Sequence, residues 1–87
     1  MGIINNKLYC TSTIGSIDLS NNAYYMEVYN ENGDAVYIVF NDDATTNDYQ
    51  IKSGETLKIY AQISSVSGIC KTSEVGSLQI IWSEVFQ

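Results

Sequence analysis

The sequence predicts an all-β protein: a small antiparallel β-sandwich or barrel of six to seven strands, with residues 1–87 forming a single domain. Three observations carry this. Proline is absent, 11% of residues are aromatic, and Val, Ile and Thr are common, a composition that suits pleated, half-buried surfaces better than helices. Apolar residues recur with a period of two in several runs. Between those runs stand short clusters of Asn, Asp, Ser and Gly, the residues that turn a chain.

The elements follow in order. Lys7 to Ile14 forms a first strand, and a connection containing Gly15 and Ser16 runs on through Ile17 and Leu19, the least patterned part of the chain. From Tyr24 to Tyr29, Met26 and Val28 alternate with Tyr25, Glu27 and Tyr29. From Ala35 to Phe40, Val36, Ile38 and Phe40 alternate with Tyr37 and Val39. Between these two strands Asn30-Glu31-Asn32-Gly33-Asp34 carries the Asn-Gly pair that supplies positive φ angles, which predicts a tight hairpin. Asn41 to Asp48 is polar, with nothing apolar larger than Ala44, and is expected to be an exposed loop.

A short extended piece, Tyr49 to Ile51, leads into the turn Lys52-Ser53-Gly54-Glu55. Leu57, Ile59 and Ala61 then alternate with Lys58, Tyr60 and Gln62. Ser64 to Cys70 is a turn entering a short strand, and Lys71 to Gly76 is a loop. In the last strand Leu78, Ile80 and Trp82 share one face, with Gln79, Ile81 and Ser83 on the other. The expected core is Met26, Val28, Val36, Ile38, Phe40, Leu57, Ile59, Leu78, Ile80 and Trp82.

The opposite side of these strands is the informative one. Tyr25, Tyr29, Tyr37, Val39, Tyr60 and Ile81 occupy positions that alternate away from the core, where Thr, Lys, Glu or Ser would be usual. Tyrosine brings large area and one polar tip, and it is enriched at protein interfaces. These six are the interface candidates. A domain of this length buries only about 60–70% of its unfolded surface, so self-association is one route to added stability.

Composition narrows the chemistry. Ten acids against four lysines, with no arginine and no histidine, give a formal net charge of −6. Nucleic-acid backbones and anionic membranes are held by basic clusters, so neither is an expected partner. Without histidine, Ser-His-Asp and Cys-His machinery is excluded. Acid pairs such as Asp42 with Asp43, or Glu27 with Glu31, fall where solvated charge is the ordinary role. The acidic stretch Asp42 to Asp48 lacks the central glycine and closing glutamate of an EF-hand loop. No enzymatic activity, cofactor or metal is expected. Cys10 and Cys70 leave two readings open. A disulfide would close a long loop and add on the order of 4 kcal/mol. The opening Met1 to Lys7, with neither a basic nor an apolar leader region, favours two half-buried thiols in a reducing cytoplasm.

A pattern runs through residues 28–82. Its pieces are Val28-Tyr29-Asn30, Val36-Tyr37-Ile38, Thr45-Thr46-Asn47-Asp48, Ser53-Gly54-Glu55-Thr56-Leu57 and Gly76-Ser77-Leu78-Gln79-Ile80. In order and spacing this segment resembles small β-sandwich structural proteins of tailed-bacteriophage virions. The resemblance implies a decoration or auxiliary protein on the capsid, or a neck or tail component. It implies a protein made in the host bacterial cytoplasm and incorporated in the virion, with capsid or other virion proteins and copies of itself as partners. The cysteine pair and the tyrosine-rich positions are not part of that pattern. A carbohydrate- or surface-binding module, with tyrosines stacked on sugar rings, is the competing expectation.

Overall fold

The computed structural model describes residues 3–84. It contains eight strands: β1 (Ile3–Cys10), β2 (Gly15–Ala23), β3 (Tyr25–Gly33), β4 (Val36–Phe40), β5 (Tyr49–Ile51), β6 (Thr56–Ile59), β7 (Ile63–Ile69) and β8 (Gly76–Ser83). They form two four-stranded antiparallel sheets, sheet I in the order β1-β8-β3-β6 and sheet II in the order β2-β7-β4-β5. The pairings nest. β4 and β5 form the innermost pair, β3 takes β6, β2 takes β7 and β1 takes β8. A long two-stranded ribbon folded over on itself in this way is a jelly roll.

Alternation decides which side chains enter the space between the sheets. Sheet I contributes Leu8, Met26, Val28, Leu78, Ile80 and Trp82, and sheet II contributes Val36, Ile38, Ile51, Ile63 and Val66, all buried in one cluster. Seven of the ten expected core residues are in that cluster, and Phe40, Leu57 and Ile59 pack against it partly buried.

Two expectations are corrected. There are eight strands rather than six or seven, because Gly15–Ala23 is a strand of its own. Its pattern is weak because pairing with β7 runs only from Gly15 to Asp18 and then shifts register before resuming at Ala23. The Asn-Gly turn, secondly, joins no hairpin, since β3 and β4 lie in different sheets. Gly33 has φ +96°, and a Cβ there would stand 2.5 Å from the Val75 carbonyl oxygen. Glycine is required by a close crossing beside the start of β8, which from the sequence looks the same as a two-residue turn.

Two asparagines fix the crossings. Asn30 is fully buried, and its Nδ2 donates to the Asp34 and Ile51 carbonyls, both at 2.9 Å. Its main chain donates to Glu55 O and accepts from Gly54 N, so one residue ties sheet I to the β5–β6 turn. Asn41, with φ +63°, accepts from Ser64 N, Ser64 Oγ and Ser65 N and donates from Nδ2 to Gln62 O. The 41–48 stretch is also less open than its composition implies. Ala44 is buried, and Ser67 Oγ donates to the Asp42 carbonyl at 2.8 Å.

Candidate interaction surface

The six candidate positions divide between the two outer faces. Tyr25, Tyr29 and Ile81 lie on the outside of sheet I, and Tyr60 stands just past the end of β6 at the same face. Tyr37 and Val39 lie on the outside of sheet II.

On sheet I the register sets Ile81 between Asn5 and Glu27, Glu27 beside Lys58, and Tyr29 between Gln79 and Thr56. The Tyr25 and Tyr60 rings pack with centroids 4.5 Å apart and planes tilted by 39°. The Tyr25 hydroxyl donates to Glu27 Oε2. That bond, with desolvation and the Glu27 charge adding to it, pushes the Tyr25 phenol up to about 12. Tyr60 is 80% exposed and Tyr29 40%. The face is therefore aromatic, carries a held tyrosine pair, and is open.

Sheet II treats its candidates differently. Tyr37 is only 8% exposed. Gln50 Nε2 donates to its hydroxyl at 3.3 Å, and Lys71 Nζ stands 5.9 Å from the ring centroid. Tyr37 is thus covered on the outside of its own sheet, and Val39, two residues on, is half-buried.

Exposed side chains that sequence reasoning passed over are Ile3, Tyr9 and Tyr49, each more than 60% exposed. Ile3 and Tyr9 belong to β1, where adjacent Ile3 and Ile4 followed by two asparagines conceal the alternation.

Cys10, at the end of β1, and Cys70, just past β7, are free and buried, and Cys70 Sγ contacts the Cys10 carbonyl. Burial, with the neighbouring Cys70 adding, raises the Cys10 thiol to about 12, and burial raises Cys70 as well. Asp48 accepts from both Thr45 N and Thr45 Oγ1, which closes the acidic loop on itself. Among the described residues no three His, Cys, Asp or Glu side chains gather as metal ligands would. A cleft of about 200 Å³ is lined by Tyr49, Ile51, Glu55 and Thr56, below the roughly 300–1,000 Å³ of typical ligand pockets. Comparison with known proteins finds no matching family model, no matching curated protein and no matching solved structure.

Proposed function

We propose that the chain is a non-enzymatic structural protein of a phage particle, an auxiliary or decoration protein that binds the capsid through the outer face of sheet I. The observation that carries this reading is the aromatic set there: the Tyr25–Tyr60 pair with Tyr29 and Ile81 around Glu27 and Lys58. The jelly-roll order is consistent with it, since viral capsid domains use that topology, as do lectins and cupins. A net charge of −6 suits the outside of a shell whose inside faces nucleic acid. A neck or tail component would use the same face. The sugar-binding reading has less support, because Tyr25 already packs against Tyr60, the most exposed tyrosine among the described residues.

The test uses purified phage particles. Mass spectrometry should find the chain in fixed proportion to the capsid protein, and the recombinant chain should rebind particles stripped of it. Joint replacement Tyr25→Ser and Tyr60→Ser should abolish rebinding with folding retained; at the exposed Tyr60 the change alters stability by no more than about 0.5 kcal/mol. Tyr37→Ser should instead destabilise by about 3 kcal/mol, as loss of a buried ring does. Absence of the chain from particles, or glycan binding by a chain that stays monomeric, refutes the reading.

A further inference from the structure

The two sheets have four rims, and three of them are protected. β5 has three residues and β6 four, while β2 breaks register after Asp18. Short or irregular rims are the usual defence against unwanted strand pairing. β1 is different. It runs eight residues in unbroken register with β8 and, among the described residues, has a strand on one side only.

The phase of its hydrogen bonds can be read from its surroundings. Ser83 O accepts from Tyr24 N, so the odd residues of β8 face β3 and the even ones face β1. Alternation then turns the main-chain groups of Ile4, Asn6 and Leu8 toward β8, and those of Ile3, Asn5 and Lys7 toward the open rim. A second observation agrees: the Lys7 N–H donates to Oδ1 of its neighbour Asn6 at 2.8 Å, a local substitute for a strand partner. Nor does Lys7 guard the rim with its charge. Its ammonium lies 3.1 Å from Glu31 Oε2, and Glu31 also accepts from Ser77 Oγ on β8, so the side chain leans inward across the sheet.

We propose that this rim is a docking edge for β1 of a second copy. The two strands run antiparallel about a two-fold axis at Asn6, joining two four-stranded sheets into one of eight. The register follows from the residues. Partners across an antiparallel pair share a face, so residue numbers of a pair must sum to an even value. Pairing about Asn6 sets Ile3 opposite Tyr9 on the outer face, each 64% exposed, and the 37%-exposed Ile4 opposite Leu8 on the inner face. Lys7, the strand's sole charge, falls opposite Asn5. Moving the axis to Lys7 would oppose two like charges, and moving it to Asn5 would set Ile3 against Lys7. Gly15 stands close to the Tyr9 carbonyl, so the new ladder centres on Asn5 and Lys7 while Ile3 and Tyr9 meet through side chains. The inference rests on the assembly reading above and gives it a contact between copies.

Sedimentation of the full chain over a concentration series should show a monomer–dimer equilibrium. Asn5→Pro removes an N–H that points at the rim and leaves the β8 ladder in place. It should weaken dimerisation about tenfold or more, since the bond occurs twice per dimer. Asn6→Cys provides a measurement that does not depend on tolerance of proline. Asn6 would oppose its own copy in a non-hydrogen-bonded pair, where Cα atoms lie about 4.5 Å apart and a disulfide fits. On mild oxidation by oxidised glutathione, Asn6→Cys should give covalent dimers and Asn5→Cys should not. A chain that stays monomeric at about 1 mM, or cross-linking at position 5 in place of 6, overturns the proposal. So does protection of β1 that appears only with a different protein bound. Dimers that survive Asn5→Pro but dissociate on Tyr25→Ser with Tyr60→Ser would overturn the edge and leave the assembly reading standing.

Discussion

Asn30→Ala is the substitution whose cost can be worked most directly from the structure. The side chain is fully buried, and its Nδ2 serves the carbonyls of Asp34 and Ile51 at 2.9 Å each. Removing it leaves both acceptors without that donor, at about 1–3 kcal/mol for each buried group. One term opposes this. Asn30 Oδ1 is itself buried without a partner, and its removal relieves part of the strain of that arrangement. A net loss of about 3 kcal/mol follows from these terms, equivalent to a fall in Tm of roughly 12–24 °C for a domain of this size. Urea unfolding followed by far-UV circular dichroism and by Trp82, the single tryptophan, measures it. Asn30→Asp sharpens the reading, since it keeps the shape and replaces the two N–H donors by an acceptor. Burial raises the carboxyl's pKa in the folded state above the unfolded value near 3.9. Its penalty is therefore least below about pH 4 and grows as pH rises. A loss below about 1 kcal/mol for Asn30→Ala with an unchanged m-value would refute the idea that this amide staples the sheets.

Two further predictions concern backbone and thiols. Gly33→Ala combines φ +96° with a Cβ 2.5 Å from a carbonyl oxygen, whereas Gly54→Ala, at φ +87°, has open space. The first should cost more than about 3 kcal/mol and the second about 1–2, the backbone term alone; equal urea midpoints would contradict the close crossing. Cys10 and Cys70 should react slowly with a disulfide reagent in the native protein and rapidly in urea, because burial favours the neutral thiol. The raised folded pKa of Cys10 contributes stability that is present below pH 9.0 and is lost as pH rises through about 12. Native-state labelling as fast as in urea would count against that burial.

The strands that could be read from the sequence are those whose two faces meet different surroundings. Met26 and Val28, or Leu78, Ile80 and Trp82, are buried while their neighbours are not, and a period of two follows. β2 escaped because its burial is shallow along most of its length: Ile17 and Leu19 are only half-buried, and Ala23 alone is fully covered. Asn30 escaped for another reason. A polar residue at a core position reads as the end of a strand, and only the crossing chain at Ile51 and Asp34 makes it a core member.

The interaction surface shows where such reading stops for a physical reason. Alternation reports which side of its own strand a residue occupies, and nothing in it reports which sheet the strand joins. In a fold where β4 to β5 is the sole connection between neighbouring strands of one sheet, outward positions of successive strands land on opposite sides of the sandwich. Tyr29 and Tyr37 have the same outward parity and point away from each other. What separates them is the cover over Tyr37, the Gln50 side chain from the neighbouring strand β5 and the Lys71 ammonium over its ring. The exposed Tyr29 on sheet I and the covered Tyr37 on sheet II are thus products of the crossing topology. The same topology leaves β1 at a rim, because β8 enters between it and β3, and among the described residues no strand pairs with its other side.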